Sequence, residues 1–289
     1  MLTYTSVLEL IEATDKAGKN ISEVVLEDQA LQADMSREEI FNKMESQFKV
    51  MQEAIQKGLK ANSLSPSGMS GCAAIKMKNR VDEGKMISGS FLGKALANAL
   101  AVSEVNAAMG RIVAAPTAGS SGILPSVLFA MMEEQNIPSD KIVMSLFTAA
   151  GIGMVIAARA SISGAEGGCM AECGSASAMA AAAMVELAGG TPRMAAHACA
   201  IALKNTMGLV CDPVAGLVEV PCVKRNAGGA ANAIASAELA LAGIESFIPV
   251  DEVIDAMKHV GEMLPSSLRE TAEGGLAATQ TGRKAMRHF

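Results

Sequence analysis

Apolar residues recur at helical spacing early in the chain. Behind "SREE" at residues 36–39, the residues Ile40, Phe41, Met44, Phe48, Met51 and Ile55 make one stripe. Ser36 and Glu39 have the form of a capping box, in which the serine oxygen accepts from the N3 amide and the glutamate reaches back. The other positions of the first sixty residues are largely charged or polar. This predicts an amphipathic helical region, residues 1–68, that lays one face on the rest of the protein. From about residue 90 the pattern changes. "SFLGKALANALAVSEVNAAMG", "LPSVLFAMMEEQN", "SASAMAAAAMVELAGG", "TPRMAAHACAIALKNTMG" and "NAIASAELALAG" are apolar around most of the helical circumference. Period-two alternation is hard to find and β-branched clusters are few, so the fold class expected is all-α, with central helices buried on most sides. Thr191-Pro192 reads as an N-cap followed by proline in the first turn, and Gly243 as a C-terminal stop. Residues 69–89, punctuated by glycine, read as a connector into a helical catalytic domain, 69–289, with the whole chain a single continuous unit.

Three segments interrupt the helices: "APTAGSSGILP", "SGAEGGCMAECGS" and "CDPVAGLVEVPC". They are long and rich in Gly, Pro and small polar residues. Loops set between buried helices are where a scaffold places chemistry.

Composition narrows the function classes. The 289 residues carry a formal net charge of -6, with 50% hydrophobic and only 3% aromatic residues. An acidic chain with no Lys/Arg cluster argues against a nucleic-acid surface. The longest apolar run, "VMSLFTAAGIGMVIAA" at 143–158, has 16 residues and contains Ser and Thr. A spanning helix needs about 20 strongly apolar residues, so this run is expected to be a core helix and no membrane is expected. The N-terminus lacks the basic, apolar and cleavage regions of a signal peptide. A cytoplasmic setting follows as an expectation, and thiols there stay reduced. A disulfide between Cys211 and Cys222 is accordingly not expected.

There are six cysteines, and five fall between residues 169 and 222. Cys199, mid-helix among alanines, reads as a small core hydrophobe, as do Cys72 and Cys173. Cys169, Cys211 and Cys222 differ because each stands beside Gly or Pro: "GGCM", "VCDP", "VPCV". Such neighbours free backbone amides or fix the chain around a sulfur, which suits thiolates holding a metal or cluster. Zinc spacing is missing: there is no Cys-x2-Cys pair, and His197, His259 and His288 are not spaced as structural ligands. Three thiolates would leave one iron of a [4Fe–4S] cluster without a protein ligand. Two further features accompany the thiols. "APTAGSSGILPS" (115–126) places amides and hydroxyls before a helix start, an arrangement suited to a carboxylate or phosphate as well as to ordinary capping. Glu166 and Glu172 flank Cys169; either carboxylate suits acid–base work or capping, with Glu172 read as a cap.

At these segments the chain resembles the iron–sulfur-dependent L-serine dehydratases. The resemblance rests on "ALAVSEVNAAMGRIVAAPTAGSSGILPSVL", "SISGAEGGCMAECGSASAMAAAAMVELAGG", "NTMGLVCDPVAGLVEVPCVKRNA" and "LRETAEGGLAATQTG", in order over residues 90–282. It implies that Cys169, Cys211 and Cys222 hold a [4Fe–4S] cluster whose open iron binds L-serine. It also implies that Thr117, Gly119, Ser120, Ser121 and Gly122, with Asn205, hold the substrate. The family occurs as one long chain or as two subunits. Nothing before residue 90 resembles the family's α/β domain, so this chain is expected to be a separate α subunit, in an oligomer with a β subunit that supplies at least one catalytic group. Where many relatives have Glu-His-Asn, this chain has Lys204, Asn205 and Thr206; its last residues carry no cysteine to cover the open iron. Lys204, Glu166 and a histidine of the β subunit are the candidates for the base, with the partner favoured. The alternatives are a pyridoxal-phosphate or cluster lyase acting on L-cysteine or L-threonine, and a non-catalytic cluster-binding subunit.

Overall fold

The structure, a computed structural model, describes residues 4–286; His288 lies outside them. In chain order the helices are α1 (Val7–Ala17), α2 (Ile21–Ala33), α3 (Arg37–Gly58), α4 (Ala73–Asp82), α5 (Gly89–Ala107), α6 (Ile123–Gln135) and α7 (Ser139–Arg159). Then come α8 (Gly164–Cys169), α9 (Ser175–Leu187), α10 (Pro192–Asn205), α11 (Cys222–Leu241), α12 (Val250–Met263) and α13 (Gln280–Met286). No strand is present among the described residues, only two isolated bridges, Leu64 with Gly71 and Cys211 with Arg269. The fold is all-α.

Helix α9 is the axis of the molecule. Every residue from Ser175 to Val185 is buried, and α6, α7, α10 and α11 pack around it. Its alanines explain the arrangement: a helix apolar on all sides belongs in a centre, and small side chains let neighbours approach closely. Two stretches, Ser139–Arg159 and Gly164–Leu187, are long and apolar enough to cross a membrane, yet 67% and 94% of their most apolar windows are buried inside the protein. The N-terminal helices join the same core, because Leu10, Val25, Phe48 and Met51 belong to one cluster with Ile123, Ile152 and Ala181. Asp251 of α12 fixes the start of α1, accepting from the Val7 amide at 2.9 Å and the Leu8 amide at 3.1 Å.

The local stop and start signals act as the sequence predicts. Ser36 Oγ accepts from the Glu39 amide at 3.2 Å while Glu39 accepts from the Ser36 amide at 2.8 Å. Thr191 caps α10 with Pro192 behind it, and Gly243 follows α11 with φ +82°. Two segments differ from the sequence reading. The connector 69–89 contains α4, whose first turn is capped from a distance: Glu104 on α5 accepts from the Ala73 and Ala74 amides at 2.7 and 3.2 Å. The segment around Cys169 is also not a loop. It is helical through α8, breaks at Gly168 (φ 70°, ψ -175°), and passes through a π turn at Met170–Gly174 into α9. Gly168 is required there, because a Cβ would stand 2.9 Å from the Leu209 carbonyl oxygen. π turns inside helices gather at functional sites.

Candidate active site

Three segments bring their cysteines to one place, and each reaches it by a different local device. The break at Gly168 turns Cys169 inward, where the Met170 amide donates to the Leu209 carbonyl at 3.0 Å. Cys211 is held in an extended stretch by the C-terminal segment: its amide donates to Leu268 O at 2.9 Å and its carbonyl accepts from Glu270 N at 2.8 Å. Cys222 opens α11. All three thiols are buried, and Cys173, one turn beyond Cys169, joins them with its sulfur 3.4 Å from that of Cys169. No disulfide is formed; all six cysteines are free.

One cation organises the thiols. Arg225 lies one turn into α11 and donates to the Val210 carbonyl at 2.8 Å, while its other nitrogen pairs with Asp212 at 2.9 Å. Asp212 in turn accepts from the Leu276 amide at 2.7 Å. Its positive charge also acts on Cys169. Arg225 therefore ties the Cys211 segment to the helix that carries Cys222. The Cys169 thiol lies well below its ordinary range, because Cys173 and Cys211 donate to its sulfur and Arg225 adds positive charge, against the cost of burial. Donating to Cys169, and burial, push Cys173 and Cys211 upward. Cys222 is pushed up to about 12, by burial first and then by Cys169. The site thus concentrates negative charge on one sulfur in a pocket of thiols.

The 117–122 loop lies against this group. Thr117 Oγ1 donates to Glu172 Oε1 at 2.8 Å and is 3.0 Å from Ser120 Oγ. Asn226, one position beyond Arg225, accepts from the Gly122 amide at 2.9 Å and donates to the carbonyls of Gly119 and Cys222 at 2.7 and 2.9 Å. It locks the loop to the helix that carries Cys222. Of the loop amides, Ser121 donates to Ala118 O and Ile123 to Ser120 O, and Ser121 Oγ also bonds Ala118 O at 2.8 Å. Among the described residues the amides of Gly119 and Ser120 have no acceptor. The anion cradle is therefore narrower than the Ser/Gly pattern suggests. Glu172 stands at its centre, with its carboxyl pushed up to about 7, chiefly by burial and then by Cys169.

Cys169, Cys211, Cys222, Thr117, Gly119 and Ser120 are thus brought together, with Ser121 and Gly122 supporting the loop. Three other expected residues stand apart. Glu166 is exposed, accepts from Ser161 Oγ at 2.6 Å and lines a separate recess of about 100 Å³ with Lys258 and Glu262. Lys204 is exposed on the last turn of α10. Asn205 bonds Asn232 at 2.8 Å, about 15 Å further along α11 than Cys222 at 1.5 Å per residue. Cys199 is a core residue of α10 with no exposure, as its surroundings predict. The residues missed in the sequence are Arg225, Asn226 and the site role of Glu172. The first two carried a signal: they lie three and four positions after Cys222, on the face of the helix that shows the thiol.

Among the described residues no three of His, Cys, Asp and Glu converge as ligands of a single metal ion. Soft thiolates from three segments select iron–sulfur clusters, zinc or copper(I), and hydrogen-bond donors already stand at the Cys169 sulfur.

Residues 16–277 match the sequence profile of a family described as Serine dehydratase alpha chain. A probable L-serine dehydratase alpha chain from Bacillus subtilis (strain 168) is 53% identical over 97% of this chain and 93% of its own length. An L-serine dehydratase alpha chain from Peptoniphilus asaccharolyticus is 48% identical over 97% of this chain and 96% of its own. L-serine dehydratase TdcG of Escherichia coli (strain K12) is 36% identical over 95% of this chain, which spans 61% of that longer protein.

Proposed function

The chain belongs to the serine dehydratase alpha chain family, and on that premise we propose that it is the catalytic α subunit of an L-serine dehydratase. It forms pyruvate and ammonia at a [4Fe–4S] cluster held by Cys169, Cys211 and Cys222. The observation that carries the proposal is the gathering of the buried Cys211 and Cys222 around Cys169, beside the 117–122 loop. When bound, the cluster supplies a Lewis acid for the substrate's hydroxyl, at the iron without a thiolate. Arg225 adds positive charge near the Cys169 sulfur and Cys173 offers it a hydrogen bond, the kind of contact that sets a cluster's potential. The amides of Gly119 and Ser120 take the substrate carboxylate, and burial strengthens that interaction.

The reaction is an α,β-elimination. L-serine loses its Cα proton and its β-hydroxyl, leaving 2-aminoacrylate and water. The aminoacrylate tautomerises to an imine, and hydrolysis of the imine gives pyruvate and ammonia. Lys204 and Glu166 stand away from the thiols, so the base is assigned to the partner subunit. The alpha-chain names of two relatives, and the extra length of the E. coli relative, support a separate β subunit. Free, buried thiols accord with a cytoplasmic setting.

Anaerobic reconstitution with iron, sulfide and the β subunit tests the reading. The expected result is a brown, air-sensitive protein that makes pyruvate from L-serine faster than from L-threonine or L-cysteine. Cys211→Ser is expected to lose both colour and pyruvate formation. A variant that kept both would sink the ligand assignment.

A further inference from the structure

We propose that Glu172 is the ammonium receptor of the site: its Oε2 takes the α-ammonium of the substrate and selects amino acids over the matching 2-hydroxy acids. The proposal rests on the amino-acid elimination argued above and adds the residue that recognises the amino group.

The two oxygens of Glu172 are in different situations. Oε1 accepts from Thr117 Oγ1 at 2.8 Å, and Ser120 Oγ backs that hydroxyl at 3.0 Å. Oε2 has no donor among the described residues. Two glycines pack closely against the carboxylate. A Cβ on Gly119 would stand 3.2 Å from Oε1, and one on Gly164 would stand 2.9 Å from Oε2 and 3.0 Å from the Cys211 sulfur. Oε2 and a thiol of the site thus both border Gly164, which places the second carboxylate oxygen beside the thiols.

Charge identifies the ligand group. A carboxyl group taken out of water either keeps its proton, as Glu172 does below about pH 7, or is ionised by a cation brought to it; its one donor is a hydroxyl. Arg225, the cation near the thiols, is committed to Asp212 and the Val210 carbonyl. Cys169 adds negative charge nearby. The substrate's own cation is its α-ammonium. Its carboxylate goes to the amides of Gly119 and Ser120, in the loop that Thr117 bonds to Glu172, so one hydrogen-bonded unit reads both ends of the zwitterion. A carboxylate against the ammonium also keeps it protonated. A protonated amine withdraws electrons from Cα, which favours release of the Cα proton.

The test compares wild type, Glu172→Gln and Glu172→Asp as anaerobically reconstituted holoenzymes with the β subunit. It reads KM and kcat for L-serine, inhibition by glycerate (hydroxyl in place of ammonium), and cluster absorbance. Loss of a charge-assisted hydrogen bond predicts a KM about 10- to 100-fold higher in Glu172→Gln, a smaller change in kcat and unchanged absorbance. The wild-type preference for L-serine over glycerate is expected to collapse in Glu172→Gln and to return in part in Glu172→Asp. Should Glu172→Gln fail to load its cluster, Glu172→Asp decides: a raised KM with preference retained supports the proposal, and wild-type values overturn it. Unchanged KM and preference in Glu172→Gln overturn the ammonium role, as does a lost kcat with KM unchanged, which would indicate proton transfer. A wild-type holoenzyme that makes no pyruvate overturns the functional reading and this inference with it.

Discussion

Glu172 keeps its proton to about pH 7 in the folded protein because burial disfavours its charge and Cys169 adds to that cost, while Thr117 relieves part of it. The unfolded side chain titrates near 4.5. Below that pH both states are protonated and the residue contributes no pH dependence. Between about 4.5 and 7 the unfolded chain ionises while the folded one holds its proton, so stability falls as pH rises, and the loss is complete above 7. At about 1.4 kcal/mol per unit this amounts to at most about 3.5 kcal/mol. Urea unfolding of the cluster-free α subunit is expected to show wild type losing more stability than Glu172→Gln between pH 5 and pH 8. Parallel pH dependences would show that Glu172 is not buried as described. The sequence pointed to a helix cap for this residue, because its neighbours offered a helix start and its true partner, Thr117, lies 55 positions away.

The first turn of α11 does much of the site's assembly, presenting Cys222, Arg225 and Asn226 on one face. Further along, the same helix carries two adjacent glycines in opposite environments. Gly228 is exposed, and a Cβ there meets nothing within 4 Å. Gly229 is buried, and a Cβ would come 2.4 Å from Ile123 Cδ1 and 3.1 Å from Ser177 Oγ. Gly228→Ala is expected to stabilise by about 0.5–1 kcal/mol through helix propensity. Gly229→Ala is expected to destabilise by about 1–3 kcal/mol through overpacking against α6 and α9. Denaturant midpoints of the two variants check this, and shifts of the same sign would refute the packing of α11. Elements were legible where their signals are local: Ser36 with Glu39, Thr191 with Pro192, and the alanine run of α9. They were hidden where the partner is remote. α4 has Cys72 at its N-cap with no capping bond from its side chain and takes its cap from Glu104. The Cys169 segment reads as a loop because its glycines serve a kink inside a helix. Cys169, Cys211 and Cys222 were visible as candidates from Gly and Pro beside them, whereas Arg225 and Asn226 showed only an ordinary polar pair.

At the scale of the whole molecule, α1 and α2 are part of the core. Tyr4, Val7, Leu10, Ile11, Ile21, Val25 and Leu26 are all buried, and each such side chain contributes about 1.5–3 kcal/mol. Together they equal or exceed the roughly 5–15 kcal/mol by which a domain is stable. Removal of residues 1–35 is therefore expected to give an insoluble or unfolded chain. A soluble, cooperatively folded truncation, judged by circular dichroism and thermal melting, would contradict a shared core.

The bridge between Cys211 and Arg269 carries a consequence for biogenesis. Leu268 and Glu270 grip the backbone of Cys211, and Leu276 holds Asp212, which in turn holds Arg225. During synthesis all the thiols emerge from the ribosome well before this clasp. Until residues 266–276 have emerged and closed over residues 210–212, the thiols lack their fixed spacing and stand exposed to stray metals and oxidants. Closure of the site thus waits for residues 266–276, a later-made segment that acts as the latch on thiols made long before.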